Sequence, residues 1–293
     1  VKLSEIERTF GLTVVRDGIF ECFAPLSGGR ADAFSYLTDQ RFVAELRSAR
    51  HVCAVVTTAE LADSVPQDIA LAVADDPADG FYQSWMAYGR RHVAWTDFPS
   101  EIDPGAEIHP TAYVAPTGVR IGAGSRIMPN ATILERSILG RNVTIWSGTV
   151  IGGEGCQVQR VRGKQIAVPH YCGVVIGDDV TIMTNCSVAW GLFEDTTIGN
   201  QTILDNLVHV AHSVKVGDGC RLLACTMIAG STVIANGARL GPNCTISDSL
   251  HLGENARITL GAVVVRDVPD GGHVSGNFAV DHRKLIAFYK TLR

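Results

Sequence analysis

IGNQTILDNLVHVAHSVKVGDGCRLLACTMIAGSTVIANGARLGPNCTISDSLHLGENARITLGAVV, residues 198–264, places a branched aliphatic side chain at every sixth position: Ile198, Leu204, Val210, Val216, Leu222, Ile228, Ile234, Leu240, Ile246, Leu252, Ile258 and Val264. A period of six fits neither a helix nor a simple alternating strand. It is the period of a solenoid with a triangular coil, one short strand and one turn per side, closed by three hexapeptides. Two residues before each aliphatic lies a small or slender one, as in Thr196, Thr202, Cys220, Thr226, Ala238 and Cys244, with Leu250 the bulky exception. Strand positions i and i−2 face the same way, so the narrow interior receives one large and one small residue per side. Glycine or alanine just after the aliphatic, as in Gly199, Gly217, Ala235, Gly241 and Gly253, is expected to make the corner.

Outward from this stretch, the same period begins at Ile102 and keeps time through Ile151 with one extra residue before Ile121. It breaks between Gly152 and Val175, and again at Ala189–Thr197. Three hexapeptides per coil give eight coils, and a strand spacing of about 4.8 Å makes a prism roughly 40 Å tall. The fold class expected is mainly β, a left-handed parallel β-helix over residues 101–268. A small α/β domain at 1–100 precedes it, and a tail with one short helix follows at 269–293. Breaks in a solenoid's period are loops thrown outward. The longer one carries Arg160, Arg162 and Lys164, which suit either a phosphate grip or a solvated surface.

Residues 1–100 lack the period. Leu3, Ile6, Phe10 and Leu12 suggest an amphipathic helix capped by Ser4; 41–49 and 77–89 read as helices, and 51–58 and 69–74 as strands. The chain has 293 residues, is 46% hydrophobic and carries a formal charge of −5, which argues against a nucleic-acid partner. No apolar run is long enough to span a membrane, and the first residues lack a signal-peptide core, so a cytoplasmic location is expected. The eight cysteines form no disulfide or zinc framework; Cys186, Cys220 and Cys244 fall in the small inward slot as apolar fillers.

With the inside filled, chemistry belongs on the outside. In DNLVHVAHS, residues 205–213, His209 and His212 flank the inward Val210 and should both project from a face or corner. Histidine is the usual base for an amine or hydroxyl near neutral pH, although a lone surface histidine is commonly no more than that.

Three groups of residues carry a resemblance: APLSGGRADAFSYLTDQRF (24–42), VVIGDDVTI (174–182) with TTIGNQTILDNLVHVAHSVKVGDG (196–219), and IAGSTVIANG (228–237). Together they resemble the UDP-3-O-acylglucosamine N-acyltransferases of lipid A and lipopolysaccharide synthesis, within the left-handed β-helix acyltransferases. The resemblance implies an acyltransferase that uses an acyl-carrier-protein or acyl-coenzyme A thioester as cosubstrate, with no bound cofactor or metal. It also implies a nucleotide-linked amino sugar as acceptor, and a homotrimer with active sites between subunits. By position, His212 corresponds to the family's base and Gly230 to its oxyanion-hole glycine, with Asp205 or Asn206 to orient the histidine. Tyr36 and Phe42 match an aromatic pair that sandwiches uracil; core packing beside the helix at 41–49 is the other reading.

The chain departs from the family pattern where substrates bind. Ala189–Trp190 replaces an Asp-Arg pair, Ser249 replaces a second histidine, and Asp39 replaces an Asn between the two aromatics. An acceptor-only carboxylate suits a guanine edge at least as well as uracil. Trp190, Ser249, Asp39 and His209 are therefore expected at substrate-binding positions. Short-chain acylation of a GDP- or dTDP-amino sugar for O-antigen is the alternative. Two readings from other classes are a γ-type carbonic anhydrase holding zinc through His209 and His212, and a non-catalytic sugar-nucleotide scaffold.

Overall fold

Each hexapeptide folds as a two- or three-residue strand and a turn, and strands three hexapeptides apart pair in parallel register: Ile198 lies beside Val216, which lies beside Ile234. The structure, a computed structural model, describes residues 1–92, 95, 97–276 and 279–292, without the side chains of 7–9 and 92. Three parallel sheets of eight, nine and eight strands form the faces of a prism. They start at Glu101–Ile102 (first face), Glu107–Ile108 (second) and Tyr113–Val114 (third). This is the eight-coil parallel β-helix expected, consistent with the left-handed class. The second face runs past residue 268, because His273–Val274 pairs with Arg257–Ile258.

The interior obeys the one-large, one-small rule. Leu204, Val210, Leu222, Ile228 and Ile246 are fully buried, and so are Thr202, Cys220, Thr226 and Thr232 in the small slot. A buried hydroxyl is tolerated only when bonded, and these bond between coils: Thr202 to the Gly217 carbonyl at 2.9 Å and Thr232 to that of Ser247 at 2.9 Å. The corners differ from expectation. The left-handed residue is the third after the aliphatic, as at Gln201, Ser213, Ser231 and Ser249, all with φ between 56° and 59°. The glycine just after the aliphatic serves close approach instead: a Cβ on Gly241 would lie 2.6 Å from the Leu260 nitrogen.

The N-terminal domain is a five-stranded sheet with Thr13–Arg16 antiparallel at one edge, then Ala70–Val73, Val52–Thr57, Ala33–Leu37 and Cys22–Phe23 in parallel. Helix α1 (Leu3–Phe10) buries Leu3, Ile6 and Phe10 against it. Ser4 is not its cap: Ser4 lies in the first turn, where its N–H and hydroxyl donate to Asp17 at 3.1 and 2.8 Å, so the carboxylate serves the positive helix end. The expected helix at 41–49 is a 3-10 turn, Gln40–Phe42, followed by α2 (Val43–Ser48). Helix α3 (Pro77–His92) covers the sheet. Helix α4 (His282–Thr291) is the expected C-terminal helix, capped by Asp281 and with no buried residue.

Both breaks in the period fold back onto the N-terminal domain. The longer one forms an antiparallel hairpin, Val158–Val161 with Lys164–Ala167. Val161, Val168 and Leu192 share a core with Phe23, Phe81 and Trp85. The Trp85 indole N–H donates to the Pro169 carbonyl at 2.9 Å, and Tyr171 donates to that of Met86 at 3.2 Å. Arg162 donates through its backbone N–H to Asp79 and through Nε to Gln83, both at 2.7 Å. The hairpin is thus a clamp, and Arg162 serves the domain contact.

Candidate active site

Everything that departs from the hexapeptide gathers on one edge of the prism. Both excursions leave the third face and return to the first. Ala211–Ser213, Ala229–Ser231 and Ser247–Ser249 turn the same corner in successive coils, so His212, Gly230 and Asp248 form a column stepped by 18 residues.

The other two corners are closed by side-chain ladders. At the first, Asn200, Asp218 and Asn236 accept the N–H groups of Asp178, Asn200 and Asp218 at 2.7, 2.6 and 2.8 Å. At the second, Asn206 accepts from the Thr184 N–H at 3.1 Å and Asp205 from that of Ala224 at 3.2 Å. Asp205 and Asn206 are therefore turn-closing residues at a different corner from His212, and within this chain they do not orient it. At the third corner the Gly230 N–H has no acceptor among the described hydrogen bonds.

His212 lies partly buried against Gly230, where an added Cβ would stand 2.5 Å from Cε1 and 2.6 Å from Nε2 of the imidazole. Its Nδ1 is buried with no partner among the described residues. Burial pushes the pKa down to about 4, His170 adds to the fall, and Asp248 works against it. The ring is thus unprotonated near neutrality, as a base must be. The centroid of His170 is 5.0 Å away. His170 is 1% exposed, and Glu154 Oε1 accepts from both its backbone N–H at 2.8 Å and its Nδ1 at 2.7 Å. Burial lowers the His170 pKa, and the Glu154 carboxylate opposes that fall.

The remaining expected residues are dispersed. His209 stands exposed on the third face in register with Ser187 and Met227. Among the described residues no group of three or more His, Cys, Asp or Glu is placed to hold a metal ion. Trp190 belongs to the third corner, but its indole N–H donates to the Glu135 carbonyl at 2.8 Å and its ring carries the Arg136 guanidinium at 3.9 Å. It plugs the foot of the excursion. Ser249 is exposed, with its N–H bonded to the Gly230 carbonyl at 2.9 Å.

Tyr36 packs on Phe81 and Tyr82 at 4.8 and 5.8 Å, whereas Phe42 is 42% exposed beneath the Arg41 guanidinium. Asp39 caps the 3-10 turn and pairs with Arg41 at 3.0 Å. The N-terminal domain nevertheless reaches the site. Gly28 and Gly29 line a groove of about 210 Å³ with Phe193, Ser213, Lys215 and Ser231, flanking the His212–Gly230 pair.

The sequence reading missed His170, Glu154 and Asp248. The 18-residue step from His212 through Gly230 leads to Asp248. No spacing leads to His170, because the excursion that carries it is shaped by its contact with α3.

The fold and repeat place this chain in a class, the hexapeptide-repeat parallel β-helix proteins: the bacterial transferase hexapeptide (six repeats) model matches residues 118–153 and 195–230. Within that class it is similar to UDP-3-O-acylglucosamine N-acyltransferases. It is 40% identical over 135 residues to that of Caulobacter sp. (strain K31), covering 46% of this chain and 40% of the relative. It is 33% identical over 172 residues to that of Hahella chejuensis, covering 57% and 49%. The chain thus spans less than half the length of these relatives. UDP-N-acetylglucosamine acyltransferases from Campylobacter jejuni and Francisella novicida share the fold, with TM-scores of 0.53 and 0.51 at 20% and 24% identity. The alignments cover 66% and 64% of this chain and 81% and 71% of theirs.

Proposed function

We propose that this protein is an N-acyltransferase that moves an acyl group from a pantetheine thioester to the amine of a nucleotide-linked amino sugar. The observation that carries the reading is the desolvated His212 imidazole set against Gly230, whose N–H is uncommitted among the described hydrogen bonds. The acceptor nitrogen attacks the thioester carbonyl and forms the new C–N bond as His212 Nε2 takes its proton. The Gly230 N–H donates to the oxyanion. Collapse breaks the C–S bond, and the departing thiolate receives the proton held by His212. Acyl transfer from a thioester needs no metal, since the carbonyl is already activated.

The groove bounded by Gly28, Gly29, Ser213 and Ser231 is where the N-terminal domain would present the nucleotide to the corner. The exposed third corner suits a homotrimer in which a neighbouring prism closes the cleft. A cytosolic carrier protein or coenzyme A would supply the donor.

The second reading keeps the chemistry and changes the substrate to a GDP- or dTDP-linked sugar with a short acyl-coenzyme A. Asp39, in place of the family's Asn, is the residue that favours it, although its carboxylate accepts hydrogen bonds from Arg41.

A thermal-shift panel of UDP, dTDP, GDP and CDP tests the acceptor, and amine-dependent thiol release from acyl-carrier-protein and acyl-coenzyme A tests the donor. Stabilisation by UDP with carrier-protein turnover supports the first reading. GDP or dTDP with coenzyme A turnover supports the second. Nucleotide binding with no thiol release from any donor contradicts both and leaves a binding scaffold.

A further inference from the structure

The longer excursion delivers a second histidine to the site. His170 is 1% exposed, and among the described residues its Nε2 is buried without a partner, as is Nδ1 of His212. The two ring centroids are 5.0 Å apart and no direct bond joins the rings, a spacing that suits one bridging water. A carboxylate only accepts, so the 2.7 Å contact from Glu154 Oε1 fixes the proton of His170 on Nδ1 and leaves its Nε2 as a bare acceptor aimed into the buried space. The backbone is arranged for this ring: a Cβ on Gly155 would lie 2.6 Å from His170 Nε2. Arg136 holds the His170 carbonyl at 2.9 Å.

We propose that Glu154 and His170 position and tune His212 as a relay through one bridging water, Glu154···H–Nδ1(His170)Nε2···water···H–Nδ1(His212), leaving Nε2 of His212 bare toward Gly230 and the acceptor amine. The inference rests on His212 being the base of the proposed acyl transfer. When His212 takes the amine proton, the imidazolium keeps its Nδ1–H bonded to the bridging water, and the Glu154 carboxylate stabilises the added charge through His170. No net proton leaves the relay, and the thiolate later removes the one gained at Nε2. His170 is therefore a positioning residue that touches no reacting atom. The charged groups around the pair are Glu154 and Arg136 beside His170 and Asp248 above His212. Arg136 opposes the protonation of His170, while Asp248 assists that of His212.

The test combines kinetics with the tautomer of the unliganded protein. His170→Ala is expected to lower kcat about 10–100-fold with little change in KM, the range typical of lost outer-shell orientation. Glu154→Gln, which preserves shape at a half-exposed side chain, removes the carboxylate that opposes the fall in the His170 pKa, and is expected to give a smaller loss of kcat with the acidic limb of the pH profile moved to lower pH. Nitrogen-15 NMR of His212 should show a protonated Nδ1 and a bare Nε2 in the wild type, and loss of that preference in His170→Ala. A wild-type His212 protonated on Nε2, or an unchanged pH limb in a folded Glu154→Gln protein, overturns the relay. If His212→Ala itself retains turnover, the proposed acyl-transfer site fails, whatever the tautomer shows.

Discussion

His212 combines two demands that oppose each other. Burial keeps it unprotonated near neutrality, yet the same burial weakens it as a base. A folded pKa near 4, below the ordinary histidine value, means that unfolding takes up a proton as pH falls through the interval between the two. The stability contribution is fully present above the unfolded value of about 6.5 and is lost as pH falls through the folded one. Denaturant titrations from pH 7 to pH 4 should therefore show falling stability, with a shallower fall in His212→Gln; equal slopes would contradict the desolvated histidine. Gly230→Ala is a sharper probe. Its φ is not in the left-handed region, so the added methyl strains no backbone and its nearest neighbour is the imidazole, 2.5 Å away at Cε1. Turnover should fall at least 100-fold, with a stability loss of about 1–3 kcal/mol from overpacking. A Gly230→Ala enzyme with wild-type kcat would show that the ring need not occupy this place.

At the scale of elements, the three corners do different work. Side-chain oxygens cap the backbone in ladders at the first two, whereas at the third the Gly230 N–H has no acceptor among the described hydrogen bonds. The period of six made the faces legible because burial imposes it on every coil: Cys220 and Thr226 must be small for the same reason that Leu222 and Ile228 must be large. The corners were less legible. A glycine after the aliphatic looks like a turn former, yet at Gly241 it is the approach of the next coil that excludes a Cβ. Asp205 and Asn206 lie near His212 in sequence and a corner away in space, a separation that linear spacing does not reveal. The Thr ladder gives a prediction at this scale. Thr232→Val keeps the volume but leaves the Ser247 carbonyl without its 2.9 Å donor, and should lower stability by about 1–2 kcal/mol in denaturant titration. A neutral or stabilising effect would mean that the carbonyl finds another donor.

Across the whole molecule, the excursions join the two domains and deliver the site. Trp85, on α3, is 1% exposed, bonds the Pro169 carbonyl and packs on Tyr171 and Phe193 at 5.1 and 4.9 Å. Trp85→Phe keeps most of the packing and loses the bond next to His170. It should raise proteolytic susceptibility within residues 152–175 before it affects the prism; unchanged protection there would show that the clamp does not depend on this bond. The sequence alone marked this segment as a loop because its order comes from a surface 80 residues away, and no local pattern records that. No helix among the described residues is long and apolar enough to cross a membrane.

The most direct measurement of the central claim is the rate of thiol release from an acyl-carrier-protein or acyl-coenzyme A donor, dependent on an amino-sugar nucleotide. It should be made with the wild type and with His212→Ala at matched oligomeric state. The account predicts amine-dependent release by the wild type and none above background by the folded variant. Near wild-type release by His212→Ala would contradict it.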